Sequence, residues 1–225
     1  MKKKLNVIIL IVLIISVPLI LYLSSFKITA FNHSFYSAEF KKYNIYTQFP
    51  NADSINSRLL YYLRYGKTGE IIDIDIFTEK EKEHLVDVRI LVQKCLTFLN
   101  ILLVLSVGLI ITLFKFNRKV FRSNMSKILV FGGFLTFFDA LIFYIIVKLN
   151  FDYIFNLFHT IFFKAGTWLF SSDQNLVMIY QENFFFDILS RIILSTFGMA
   201  LILMIIGVYI DRSWIERYLN LKNKH

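Results

Sequence analysis

The stretch "CLTFLNILLVLSVGLIITLF" (residues 95–114) holds no charged residue and no proline. A helix needs about 20 consecutive, mainly apolar residues to cross the hydrocarbon core of a bilayer. Three more runs of this kind lie at residues 5–26, 128–147 and, slightly interrupted, 188–210. Because 56% of the 225 residues are hydrophobic, the composition excludes a disordered or fibrous chain and predicts an integral membrane protein with four spans.

The run at residues 5–26 follows "MKKK", as the core of an export signal would. Its apolar part is longer than the roughly 7–15 residues of a signal core, and no small-x-small cleavage site follows it. No cysteine lies near it, which excludes a lipoprotein signal. We therefore expect an uncleaved first span.

The basic residues are distributed unevenly between the two ends of the predicted spans. Twelve of the 25 lie at the amino end, in the loop between the second and third spans, or in the carboxyl tail, with only two acids beside them. The twelve are Lys2, Lys3, Lys4, Lys115, Arg118, Lys119, Arg122, Lys127, Arg212, Arg217, Lys222 and Lys224. Positive residues are retained on the cytoplasmic side, so both termini are predicted to be cytoplasmic. Topology thus explains the net charge of +9, which gives no support to a nucleic-acid partner.

These features predict one membrane domain over residues 1–225, a four-transmembrane-helix bundle with a small mixed α/β extracytoplasmic cap. The spans are expected at about 5–26, 91–115, 128–148 and 187–210, and the cap at 27–90 and 149–187. Residues 71–77, "IIDIDIF", alternate isoleucine with aspartate as a half-buried strand does. The aromatic and β-branched residues of 26–46 favour one or two more strands, and "LVMIY" (176–180) is another candidate.

Residues 77–93, "FTEKEKEHLVDVRILVQ", predict a helix that continues into the second span. Thr78 and Glu81, three residues apart, form the pattern of a capping box, and acids in the first turn suit the helix dipole. No proline or glycine follows until Gly108, so the helix should be unbroken. It would hold His84 and Asp87 on one face, just outside the membrane, on a rigid element.

Residues 158–170, "FHTIFFKAGTWLF", place His159 among five aromatic side chains. Residues 151–163 predict a short helix in or dipping into the membrane interface. Few polar partners lie near His159 in the sequence, and burying an unpaired imidazole would cost free energy. This histidine is therefore a candidate for chemistry. His33, in a polar loop, and His225, the last residue, are not.

The familiar enzyme signatures are absent, including G-x-S-x-G, H-E-x-x-H and a glycine-rich phosphate loop. The single cysteine, Cys95, excludes an internal disulfide and a metal site of paired thiolates. His159 and His84, with Asp87 a turn away, could form a base and its orienting partner, and a metal site from these three has weaker support. Arg191, at the outer start of the fourth span, could hold an anionic lipid or substrate group, or act as a snorkelling anchor.

Three blocks of the sequence together resemble the lipoprotein intramolecular transacylases, small four-span proteins of Gram-positive-type bacteria. The blocks are "FYSAEFKKY" after the first span, "FTEKEKEHLVDVR" before the second, and "FHTIFFKAGTWLFSSDQNLVMIYQENFFFD" between the last two. They cover nearly the whole chain in the order of the family. One departure is Gln181, where the family usually has a proline before the glutamate.

The resemblance implies a membrane acyltransferase that moves the sn-2 acyl chain of a lipoprotein's diacylglyceryl group to the α-amine of its N-terminal cysteine, giving the lyso form. It implies diacylated bacterial lipoproteins and membrane lipid as partners, with no soluble acyl donor, nucleic acid, cofactor or metal. The protein is then expected to be a multi-pass protein of the cell membrane with its active site on the extracytoplasmic side.

The resemblance also implies roles for individual residues. His159, in "FHTIFF", would be the general base and acid. His84, in "EHLVD", would stabilise the tetrahedral intermediate or hold the substrate, with Asp87 fixing its tautomer. An acyl-imidazole route through one histidine stays open. The candidates for substrate binding are Tyr36, Glu39, Trp168 and Arg191.

Two other functions are compatible with the sequence. A lipid or lipoprotein deacylase would use the same histidines with water as the acceptor. A non-catalytic membrane protein would use its aromatic cap to bind lipid or a partner, and its function would survive loss of both histidines. A zinc enzyme has the weakest support.

Overall fold

The computed structural model describes residues 2–116, 118–211 and 213. Over these residues the chain forms eight α-helices and two short 3₁₀ helices. The α-helices are α1 (Lys2–Ala30), α2 (His33–Lys42), α3 (Ala52–Tyr65), α4 (Glu79–Phe116), α5 (Phe121–Leu149), α6 (Phe151–Phe162), α7 (Asn175–Ile179) and α8 (Glu182–Ile210). The 3₁₀ helices are Ile45–Thr47 and Arg118–Val120. Most of the carboxyl tail used for the topology prediction, including Arg212, Arg217, Lys222, Lys224 and His225, lies outside the described residues, so the orientation of the termini stays a prediction.

Four helices of the described chain, α1, α4, α5 and α8, are long and apolar enough to cross a membrane, which confirms the four predicted spans. The longest, α4, has 38 residues and no break, also as predicted. A bilayer covers only about 20 residues of a helix. The apolar part of α4 is 95–114, whereas residues 79–94 carry many charges. His84 and Asp87 therefore lie outside the apolar span.

The prediction of a mixed α/β cap is wrong, because no strand occurs among the described residues. Residues 71–77 do alternate: Ile72 and Ile74 are buried, and Asp73 and Asp75 are exposed. No neighbouring strand pairs with them, and the guanidinium of Arg58 donates a hydrogen bond to the Asp73 carbonyl instead. The alternation of isoleucine and aspartate thus correctly predicts which side chains are buried, but burial alone does not form a sheet.

The two other strand predictions fall on helices. In α2 the side chain of Asn32 caps the helix by accepting from the Phe35 N–H at 3.1 Å. The buried residues Phe35, Tyr36 and Phe40 share one helical face. Residues 175–179 form α7. Its buried Leu176 and Ile179 are three residues apart, a spacing that suits a helix and not a strand.

The described chain divides into two compact units. The span unit comprises the described residues of Met1–Ser25, Phe98–Tyr144 and Ile193–His225. Its helices pack closely: a Cβ on Gly132 would lie 2.6 Å from a methyl group of Val17, and the Thr196 hydroxyl donates to the Ser25 hydroxyl at 2.8 Å. The cap unit comprises Phe26–Thr97 and Ile145–Ile192 and contains both candidate histidines.

An aromatic core holds the cap unit together. Tyr36 lies at its centre, with ring centroids 5.3 Å from Phe184, 6.3 Å from Phe40 and 6.4 Å from Tyr180. Edge and tilted contacts of this kind each add about 0.5–1.5 kcal/mol beyond the apolar area that they bury. Tyr180 also donates to Asn56 at 3.0 Å, so its buried hydroxyl is satisfied. This core links α2, α3 and the start of α8.

Candidate active site

The first turn of α4 positions His84. The predicted capping box is confirmed: one carboxylate oxygen of Glu81 accepts from the Thr78 N–H at 2.7 Å and the Thr78 hydroxyl at 2.9 Å. Its other oxygen accepts from the Leu176 N–H at 2.6 Å. Glu81 is fully buried, and these donors replace the water that it loses. The start of α4 is thus bonded to the start of α7, one turn before His84.

Helix α6 positions His159. The side chain of Asn150 caps the helix by accepting from the Tyr153 N–H at 3.2 Å. Phe155 lies one turn before His159 and Phe163 one turn after, with ring centroids 4.1 and 5.4 Å from the imidazole. The indole of Trp168 lies 4.8 Å away. His159 is only 9% exposed.

The two histidines meet inside this aromatic enclosure. Their ring centroids are 6.3 Å apart and their planes are inclined by 24°. His84 is 6% exposed and also contacts Phe163 at 4.8 Å and Phe170 at 5.4 Å. Residues that are 75 positions apart in the sequence are therefore stacked in one apolar pocket. Such a pocket strengthens electrostatic interactions at the imidazoles and limits access of water.

A backbone carbonyl decides the tautomer of His159. Its Nδ1 lies 2.7 Å from the Phe155 carbonyl oxygen. A carbonyl only accepts, so Nδ1 carries the hydrogen and Nε2 keeps its lone pair when the ring is neutral. Burial lowers the pKa of His159, although the bond to Phe155 opposes that shift. A neutral imidazole with a free Nε2 is the form that acts as a general base.

His84 is also neutral at pH 7. Burial, reinforced by the neighbouring His159, lowers the pKa of His84 from 6.5 to about 4. Its Nδ1 is buried and has no hydrogen-bond partner among the described residues. A buried polar atom without a partner is uncommon and costs free energy. It is therefore a candidate contact for a substrate atom.

The low pKa of His84 predicts loss of stability in acid. Between pH 6.5 and 4 the unfolded chain binds the proton more readily than the folded chain, so stability that is present above pH 6.5 is lost as pH falls towards 4. At full protonation the loss is roughly 3 kcal/mol. Thermal unfolding in detergent at pH 7.5 and 4.5 should therefore show a smaller difference for His84→Gln than for wild type. The exposed His33 offers the matched control, and an equal change for His33→Gln and His84→Gln would contradict the burial argument.

The segment between α6 and α7 closes the aromatic enclosure and is bonded to α4. Lys80 donates to the Leu169 carbonyl at 2.6 Å, and its ammonium lies 5.2 Å from the Phe170 ring. The side chain of Asn175 donates to the Ile76 carbonyl at 2.5 Å. Gly166 has φ +84°, in the left-handed region, within the turn that leads to Trp168. These bonds fix the aromatic residues of the segment against the histidine pair.

Gly166 and Gly69 provide a matched pair of variants. Both have positive φ, +84° and +81°, and a Cβ on either would meet nothing within 4 Å. Alanine therefore introduces backbone strain of about 1–2 kcal/mol at both positions. We expect Gly166→Ala to lower the rate of the acyl transfer that the family resemblance implies about 3- to 10-fold, because the strained turn precedes Trp168, and Gly69→Ala to leave it unchanged. Single-turnover assays on both variants test this, and equal rates would contradict the proposed role of the segment.

The other predicted site residues occupy three different environments. Asp87 lies half-buried one turn after His84, and no bond joins it to the unpartnered Nδ1. Tyr36 is buried in the aromatic core and donates to the Ala30 carbonyl at 3.0 Å. Arg191 is exposed, with its guanidinium 5.0 Å from the Phe35 ring. None of these three contacts an imidazole ring in the described structure.

Glu39 belongs to a charged cluster of α2 and α8. It lies 3.5 Å from Lys42, whose ammonium is 2.5 Å from Asp187. Tyr43 donates to the same Asp187 oxygen at 2.5 Å. Burial and the hydrogen-bonded carboxyl of Asp187 raise the pKa of Glu39. The cluster joins the two helices, and Glu39 has no contact with the histidines.

Three residues at the site were not among the sequence candidates. Phe155 and Phe163 are four residues from His159 on either side, so helical spacing alone would have identified them. Phe170 contacts His84 through a loop, and no sequence pattern predicts that contact. As for metals, no group of three or more His, Cys, Asp or Glu side chains within residues 2–116, 118–211 and 213 is arranged to hold an ion.

Comparison with known proteins gives a consistent result. A family model described as "Lipoprotein intramolecular transacylase Lit" matches residues 11–185, which is well over half of the chain. The membrane-integral lipoprotein intramolecular transacylase Lit from Bacillus cereus has a solved structure that matches with a TM-score of 0.81 at 19% identity, covering 92% of this chain and 96% of that one. A histidine-substituted variant of that protein gives 0.77 at 17% identity and covers 96% of both chains. These identities show a shared fold. No curated protein sequence matches the chain significantly.

Proposed function

This chain belongs to the lipoprotein intramolecular transacylase family, and on that premise we propose that it moves the sn-2 acyl chain of a diacylated lipoprotein to the α-amine of that lipoprotein's own N-terminal cysteine. Family membership makes it an acyltransferase, and its four apolar helices make it a multi-pass membrane protein. Its substrates are lipoproteins in the membrane. The observation that carries the finer proposal is the neutral His159 with a free Nε2 inside an aromatic enclosure.

His159 would move one proton in each half of the reaction. As the cysteine nitrogen attacks the ester carbonyl, Nε2 takes its proton and a carbon–nitrogen bond forms. As the tetrahedral intermediate collapses, the carbon–oxygen bond to the glycerol breaks, and the imidazolium returns the proton to the departing oxygen. The amide and the free hydroxyl are the products, and no water or outside acyl donor is consumed. The hydrogen bond from Nδ1 to the Phe155 carbonyl supports the imidazolium in between.

His84 would stabilise the charge that develops on the carbonyl oxygen. A neutral imidazole carries one N–H, and its Nδ1 has no partner among the described residues, so it is available to the substrate. A single donor of this kind is worth about 10²–10³ in rate. Asp87, one turn along the same helix, would fix which of the two nitrogens carries that single hydrogen. The pKa of about 4 supports His84 as a donor and not as the base.

The aromatic residues would protect the ester from water. Phe155, Phe163, Trp168 and Phe170 contact the two imidazoles. Donor and acceptor belong to one molecule, and well-oriented intramolecular groups reach effective molarities of roughly 10⁵ M or more. Proximity thus favours the amine over water, provided that the pocket stays closed. A deacylase would need water at the same carbonyl.

The remaining candidate residues would act away from the reacting atoms. Tyr36 would support substrate binding through the aromatic core, and Glu39 through the cluster that joins α2 to α8. Arg191 would bind an anionic lipid or substrate group with its exposed guanidinium. The uneven distribution of basic residues supports a site on the extracytoplasmic side of the cell membrane.

A regiospecific label tests the proposed transfer. A diacyl lipopeptide with a ¹³C-labelled sn-2 chain would be incubated with the purified protein, and tandem mass spectrometry would locate the label. We expect the label on the amine with no change in total mass. Loss of the labelled chain would identify a deacylase. A label that stays on glycerol, or an unlabelled chain on the amine, would refute the proposed transfer.

A further inference from the structure

The span unit contains a cavity of about 1450 Å³ between the start of α5 and the end of α8. All of its lining residues belong to the span unit, whereas the histidine site belongs to the cap unit. Transacylation as proposed uses none of them. Next to the lining residues Lys127 and Val208 the two helices cross closely, and the Ser126 hydroxyl donates to the Gly207 carbonyl at 2.7 Å.

The polar side of the cavity is cationic. Lys119, Arg122 and Lys127 line it, and Asp211 is the one acid among the lining residues. The Nε–H of Arg122 donates to the Ile210 carbonyl, which fixes the guanidinium between the helices. No ion pair within the described chain engages either lysine. The cavity therefore carries a net positive charge that its own residues leave unbalanced.

The start of α5 adds to this positive field. Helix α5 has 29 residues and begins at Phe121, so Arg122, Ser123 and Asn124 of the lining lie in its first turn. The N-terminus of a long helix carries about half a positive elementary charge, and its N–H groups bind anions such as phosphate. Helix and side chains thus select the same charge on a ligand.

The α8 side of the cavity is apolar. Ile205, Val208 and Tyr209 of α8 line it and are 68%, 39% and 89% exposed. On a helix that crosses a membrane, such residues contact acyl chains. A ligand that binds both the cationic and the apolar residues has a negatively charged headgroup attached to hydrocarbon chains.

We propose that this cavity binds an anionic phospholipid, with the phosphate at Lys119, Arg122 and Lys127 and the acyl chains along Val208 and Tyr209. Basic pockets between membrane helices bind anionic headgroups in this way. A zwitterionic lipid should bind less well, because its own cationic group would be repelled by the lysines. Inorganic phosphate shares the charge but has no contact with the apolar side.

Native mass spectrometry of the full-length protein in neutral detergent tests the proposal. The protein would be titrated with phosphatidylglycerol, with phosphatidylcholine of the same acyl chains, and with inorganic phosphate. We expect phosphatidylglycerol to bind about tenfold more tightly than phosphatidylcholine, and inorganic phosphate not to displace it. The double variant Lys119→Gln, Lys127→Gln should lose that preference. The matched control, Lys41→Gln with Lys67→Gln, removes two exposed lysines of the cap unit and should keep it.

Two results would overturn the proposal. One is equal binding of the two lipids to wild type, which needs no variant and so is independent of any folding defect. The other is displacement of the lipid by inorganic phosphate, which would identify a site for a free anion. The experiment measures lipid binding and not acyl transfer. A negative result would therefore refute the lipid site without bearing on the proposed function.

Discussion

Replacing His159 by glutamine is expected to lower the single-turnover rate constant for acyl transfer about 10²–10⁴-fold, the range that a general acid–base residue contributes. Glutamine retains an N–H that can reach the Phe155 carbonyl, but it has no basic nitrogen to replace Nε2. The amine then has to lose its proton to water or to the substrate. The rate constant would be measured by mass spectrometry at saturating enzyme, so that binding does not limit it.

His33→Gln is the matched control for that experiment. His33 begins α2 and is exposed, and its Nδ1 lies 3.4 Å from the Ser57 hydroxyl. We expect its rate constant to equal that of wild type. Unfolding of the His159→Gln protein is excluded if its thermal transition lies near that of wild type. A folded His159→Gln protein that keeps more than a third of the wild-type rate constant would contradict general base catalysis by this residue.

Replacing His84 by phenylalanine is expected to lower the same rate constant about 10²–10³-fold, the effect of removing one donor to a developing oxyanion. Phenylalanine fills the space of the imidazole against Phe163 and Phe170, so the pocket stays closed. It also removes the unpartnered Nδ1, which should raise the thermal stability. A variant that is more stable and less active would separate the catalytic effect from a folding defect.

His84→Gln distinguishes a donor from a base at this position. Glutamine can donate a hydrogen bond to an oxyanion, so we expect it to recover part of the activity that phenylalanine loses. At His159 glutamine should recover no activity, because it cannot act as a base. Equal losses of the rate constant in His84→Gln and His84→Phe would show that His84 does not act as a hydrogen-bond donor. A smaller loss in His159→Gln than in His84→Gln would show that the two histidines have the opposite roles, with His84 as the base.

Local patterns predicted those parts of the fold that depend on neighbours in the sequence. The capping box of Thr78 and Glu81 and the unbroken length of α4 follow from residues within one helix, and the structure confirms both. The length and apolarity of the four spans have the same local origin. These features place His84 on a rigid element, although they do not place it beside His159.

Patterns that depend on distant partners were the source of the errors. Ile72 and Ile74 alternate with aspartates as in a strand, but a strand needs a neighbour to complete its hydrogen bonds, and here Arg58 supplies a bond instead. Substrate binding by Glu39 stays a prediction, but no local pattern predicts its contact with Asp187 of α8, nearly 150 positions away. The contact of Phe170 with His84 depends in turn on a loop held by Lys80.

The most direct test of His159 as the base is nitrogen NMR on protein labelled with ¹⁵N-histidine. The chain has four histidines, and the signals of His159 are assigned by their loss in His159→Gln. At pH 7.5 we expect one directly bonded hydrogen, on Nδ1, and a bare, unprotonated Nε2. A hydrogen on Nε2, or hydrogens on both nitrogens, would contradict the proposal that this nitrogen takes the proton of the attacking amine.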